Sequence, residues 1–116
     1  ALKYGFDYEK GGVYRDGPQE GEPLIRDKEW WQNFESLTGF LDSYQATEDE
    51  RYLDTFIKLW EFDKKYFYNP EVGESRQLLL ADGTPVIDDT GNQWKCIYHT
   101  DRAMMECCLR IESLTE

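Results

Sequence analysis

Asp27-Lys28-Glu29-Trp30-Trp31-Gln32-Asn33-Phe34-Glu35 opens the stretch that decides the fold, which runs on to about Ala46. Within it Trp30, Phe34, Leu37, Leu41 and Tyr44 recur at steps of four and three, the spacing of one stripe along an α-helix. Asp27 is placed to cap its start. Trp31 and Phe40 lie off the stripe, so this helix shows apolar side chains on more than one side. A second stripe, Tyr52, Phe56, Leu59 or Trp60, and Tyr66 or Phe67, predicts another helix from about Asp49 to Tyr68. Thr47 and Glu50 form a T-x-x-E capping box at its front, and Asn69-Pro70 ends it. Two helices joined by so short a turn must run antiparallel, as an αα-hairpin.

On the N-terminal side, residues 4–14 alternate aromatic with polar side chains and break at Gly11-Gly12, which suits a short hairpin or a long aromatic loop. Residues 15–26 carry prolines and glycines and read as irregular; neither glycine-rich phosphate-binding motif is present. On the C-terminal side, Gln77-Leu78-Leu79-Leu80 and Pro85-Val86-Ile87 flank Ala81-Asp82-Gly83-Thr84, the pattern of a small β-hairpin turning at Asp-Gly. A loop at 88–92 delivers the chain to Trp94. The last helix, from about Tyr98 or Thr100 to Leu114, carries Ala103, Met104, Cys107, Cys108 and Ile111 at helical spacing, with the methionines reading as core.

The totals narrow the possible partners. A chain of 116 residues is one domain or a piece of one. A net charge of -11 argues against nucleic acid and anionic membranes, because those partners are held by Lys and Arg. No apolar run approaches the roughly 20 residues of a membrane span, and no signal-like segment opens the chain. Three cysteines, two of them neighbours in a helix, suit neither a disulfide framework nor, with one histidine and no CxxC, a zinc site. The expectation is a soluble, cytoplasmic protein with reduced cysteines. An aromatic share of 16% suggests rings that line a carbohydrate-facing pocket as well as a core.

His99 is the only histidine, placed where a loop enters a helix. It reads either as an acid/base group working near neutral pH or as a hydrogen-bonded structural residue. At the first turn of a helix the dipole disfavours an imidazolium and keeps a neutral base available. Arg102 shares its helix face and has three readings: a bond to a substrate hydroxyl, a hold on a carboxylate, or a pair with Glu106 at i+4. Trp30, on the stripe, reads as core; Trp31 does not. Three helices and one or two small hairpins cannot bury all these stripes, so the chain is expected to be a fragment that meets other subunits or the rest of its own fold.

Residues 27–35, the helix pair, Gly73-Glu74, Asp82-Gly83, and Trp94-Lys95-Cys96-Ile97-Tyr98-His99 with Arg102 occur in the order and spacing of the N-acylglucosamine 2-epimerase family, which also holds cellobiose 2-epimerases and mannose isomerases. The chain resembles about the C-terminal third of such an enzyme. The resemblance implies a mainly α fold, helical hairpins of an (α/α)6 barrel, incomplete here, with one or two small β-hairpins. It implies a sugar substrate and inversion at C2 or aldose-ketose exchange through an enediolate, with two histidines and no cofactor or metal. It assigns acid/base chemistry to His99 and sugar contacts to Trp31, Glu35, Trp94 and Arg102.

The sequence departs from the family pattern in three places. Ser75 stands where an aromatic often follows Gly-Glu, Ile97 where proline is frequent, and the second histidine is absent from this chain. A different reading follows from the last point: a sugar-binding or assembly module without turnover, since stacking on Trp31 and Trp94 needs no second histidine. The Trp-Lys-Cys form leans toward the cellobiose or mannose branch.

Overall fold

The computed structural model describes residues 2–116. Strand β1, Lys28–Glu29, runs straight into helix α1, Trp30–Thr47. Because residues 28–29 are drawn into a sheet, the helix begins three residues after Asp27, which therefore does not cap it. The N-cap is Glu29, whose side chain makes no capping bond. The first amide is served in another way, Trp30 N donating to Gln77 O at 3.0 Å, and the Asn33 side chain ties the helix start down by donating its Nδ2 to Glu29 O at 2.7 Å.

Helix α1 ends at Glu48, left-handed at φ 57°, whose N–H returns to Tyr44 O. The cap of α2, Glu50–Phe62, is Asp49, whose carboxylate accepts Arg51 N at 3.0 Å. Thr47 is not that cap: it is the last residue of α1, and its hydroxyl donates to Ser43 O. The connection is the two residues Glu48 and Asp49, one position later than expected, and the hairpin is antiparallel. A π-helical turn, Asp63–Phe67, extends α2 to within one residue of the expected end. Strand β2, Tyr68–Asn69, then pairs with β3, Glu74–Ser75.

The two expected stripes meet in the core, Phe34, Leu37 and Leu41 with Phe56, Leu59 and Phe67, and Phe62, outside the expected stripe, joins them. Strands β4, Leu78–Leu79, and β5, Pro85–Ile87, form the expected hairpin, and β1 completes a three-stranded antiparallel sheet in the order β1-β4-β5. Gly83 is needed at its turn: φ is +92°, and a Cβ there would sit 2.4 Å from the Tyr66 ring. The N-terminal aromatic segment is a loop closed by a Phe6–Val13 bridge.

Helix α3, Tyr98–Thr115, packs against α1, which thus contacts both other helices. Only Ala103 and Cys107 of its expected stripe are buried. Cys108 and Ile111 are exposed, with Met105, Leu109 and Leu114, because α1 covers one side of α3 and, among the described residues, nothing covers the other. The fold is mainly α with small β-hairpins. No described helix is long and apolar enough to cross a membrane.

Candidate active site

The second residue of α3 is His99, and its ring turns back toward α1. Nδ1 lies 2.8 Å from Glu35 Oε1, one helical turn beyond Trp31. Arg102, three residues after His99, bonds the other oxygen of the same carboxylate and also donates to the Tyr98 hydroxyl. Of the three readings open for Arg102, the structure shows the hold on a carboxylate; Glu106 is paired with Arg110 instead. One carboxylate on α1 thus holds two side chains of α3.

Burial works to raise the Glu35 carboxyl, but the hydrogen bonds from His99 and Arg102 outweigh it and hold it below the ordinary range. An ionised carboxylate only accepts, so Nδ1 is the donor of this pair and the neutral ring keeps its lone pair on Nε2. The free lone pair is what a general base requires.

Aromatic rings frame the imidazole. Trp30 approaches edge-on at 6.0 Å, Trp31 tilted at 6.0 Å, and Tyr98 edge-on at 5.0 Å. The two tryptophans divide as their spacing indicates: Trp30 is 5% exposed and Trp31 39%. The Trp31 indole N–H donates to Glu29 Oε2, whereas Trp30 Nε1 is buried without a partner among the described residues. Trp94 stands apart. Its indole is 77% exposed on the loop before α3, and among the described residues no ring contact or hydrogen bond joins its side chain to His99.

The structure therefore gathers Glu35, His99, Arg102 and Trp31 and leaves Trp94 apart from them, exposed on the loop before α3. Ser75 lies elsewhere, in a cavity of about 450 Å³ that Phe34, Trp60, Asp63, Thr100 and Met104 also line. Two lysines escaped sequence reasoning. Lys28 and Lys95 are almost fully buried; Lys95 stands inside an apolar and aromatic run, which was the signal available, whereas Lys28, between Asp27 and Glu29, carried none. Among the described residues no group of three or more His, Cys, Asp or Glu could hold a metal ion.

A helical hairpin, a third helix and a His-Glu-Arg cluster at their shared end define a segment of an (α/α)6 barrel of the sugar epimerase and isomerase type. The family profile for N-acylglucosamine 2-epimerase (GlcNAc 2-epimerase) matches residues 1–103, and the chain belongs to that family. It is 36% identical over 83 residues to cellobiose 2-epimerase of Ruminococcus albus, which covers 70% of this chain and 21% of the relative. Two solved structures superpose with a TM-score of 0.81: a D-mannose isomerase at 27% identity, and cellobiose 2-epimerase from Spirochaeta thermophila at 30%. Each match covers 90% of this chain, with 27% and 26% of the respective structures. The chain spans about a quarter or less of the proteins it matches.

Proposed function

We propose that this chain supplies the C-terminal part of the active site of a carbohydrate 2-epimerase or aldose-ketose isomerase. The observation that carries the reading is the His99–Glu35 pair, which leaves Nε2 free on a ring whose conjugate acid has a carboxylate beside it. In this scheme Nε2 removes the C2 proton of an open-chain sugar, the electron pair moves into an enediolate, and the imidazolium is stabilised by Glu35. A second group, outside these 116 residues, returns a proton to the opposite face for epimerisation. Return to C1 gives the ketose.

Arg102 holds Glu35 in place, and Trp31 offers an apolar wall beside the reacting carbon. Trp94 stacks on the sugar as it enters. The uncovered face of α3 is where the remainder of a barrel would pack. Incubating the full-length protein with mannose, cellobiose and N-acetylglucosamine in heavy water tests the reading, since reprotonation of the enediolate leaves deuterium at C2 of an epimer or at C1 of a ketose; its absence from both positions with all three sinks it.

One observation favours a second reading. The chain has a single histidine, and the Trp94 indole is open to solvent, which suits a sugar platform without turnover. Tryptophan fluorescence that responds to a sugar while no product forms would select that alternative.

A further inference from the structure

Residues 88–97 join β5 to α3, and Lys95 is buried within them at 1% exposure. A buried ammonium is tolerated only where acceptors meet its protons. Lys95 Nζ donates to Thr90 O at 3.0 Å and lies 3.7 Å from Glu74 Oε1 of β3. Its backbone closes a turn on Asn92. Trp94 N and Lys95 N both donate to Asn92 Oδ1, at 2.8 and 3.0 Å, and Asn92 N donates to Lys95 O at 3.0 Å. Trp94 therefore rides on a held turn while its own indole touches little.

The same short strand meets the chain again beyond Trp94. Ser75, next to Glu74, has its hydroxyl 3.3 Å from that of Thr100, the residue after His99. Strand β3 thus contacts the segment at Lys95, inside the Trp94-to-His99 stretch, and at Thr100, just beyond it.

We propose that Lys95 is a positioning residue: anchored to Thr90 and Glu74, it fixes the loop so that the Trp94 indole stands at a constant place relative to His99. It touches no substrate itself and acts through Trp94. The inference rests on the sugar-binding role proposed for Trp94 and the acid/base role proposed for His99.

The test uses the full-length protein labelled with 5-fluorotryptophan, its Trp94 resonance identified with Trp94→Phe. Lys95→Met keeps the stem and removes the donors. It is expected to shift or broaden the Trp94 fluorine signal, leave that of buried Trp30 in place, and raise KM about 10-fold, the scale of one lost ring contact, with a smaller change in kcat. Glu74→Gln, which keeps the shape and removes the charge, gives the same signature in weaker form and decides the matter should Lys95→Met fail to fold. An unmoved Trp94 signal in the folded variant overturns the proposal. So does equal disturbance of Trp30 and Trp94 with a lowered Tm, which assigns Lys95 to general packing. Should the wild type turn over no sugar, the catalytic reading fails, and the Trp94 signal decides the positioning role separately.

Discussion

His99 Nδ1 and Glu35 Oε1 stand 2.8 Å apart although 64 residues of chain separate them. The contact exists because α1 packs against α3 and brings its second turn against the first turn of that helix. It converts a lone histidine into an oriented one, with Nδ1 committed and Nε2 free.

Glu35→Gln removes that orientation while keeping the shape. Turnover of the full-length protein is expected to fall by about 10²-fold or more, the scale of general acid-base assistance, with substrate binding little changed. Stability responds at acid pH. The folded carboxyl titrates below its ordinary 4.5, so its contribution is complete above that value and is lost as pH falls through the depressed one. Tm of the wild type should therefore drop more steeply below about pH 4.5 than Tm of Glu35→Gln, as calorimetry would show.

The adjacent tryptophans should separate cleanly. Trp30→Ala opens the core and is expected to cost about 3–5 kcal/mol, measured by urea unfolding. Trp31→Ala should cost far less stability and instead weaken sugar binding. Equal losses of stability would contradict the assignment of Trp31 to the pocket.

Lys28 lies fully buried in β1 and joins three segments, donating to Asp7 Oδ2 at 2.9 Å, to Ala81 O at 2.8 Å and to Gly11 O. Burial pushes its ammonium down, opposed by the hydrogen bond to Asp7. Lys28→Met leaves the Asp7 charge unpaired and is expected to destabilise by about 3–5 kcal/mol. Adding Asp7→Leu should recover much of that in a double-mutant cycle.

Asp63 presents the opposite case. Both carboxyl oxygens are buried without a hydrogen-bond partner among the described residues, and burial pushes the carboxyl well above its ordinary 3.8. The unfolded chain ionises this group first, so stability falls as pH rises from about 3.8 toward the raised folded value. Asp63→Leu should abolish that fall and stabilise the protein at pH 7 by about 1–3 kcal/mol, read from Tm across a pH series.

The helices were legible because their stripes are long: Phe34, Leu37 and Leu41 fix one face of α1, and Phe56 and Leu59 the facing side of α2. Their ends were not. A two-residue strand that starts α1 at Trp30 depends on Leu78 and Leu79, far along the chain, and local capping chemistry at Asp27 carries no trace of that pairing. In the site, the motif around His99 was visible by residue type. The partner that orients it was named only as a sugar contact, because the Glu35–His99 bond is tertiary. Lys95 was hidden for a related reason, since burial of a lysine is decided by acceptors such as Thr90 O and Glu74 that sequence spacing does not reveal.

The central claim is that His99 moves the C2 proton. Solvent deuterium appearing at C2 of an epimer or at C1 of a ketose, compared between the full-length wild type and His99→Ala, measures it directly. The account predicts label with the wild type and a loss of about 10²–10⁴-fold in its rate of appearance in a variant that remains folded. Label that appears equally fast in His99→Ala would contradict it.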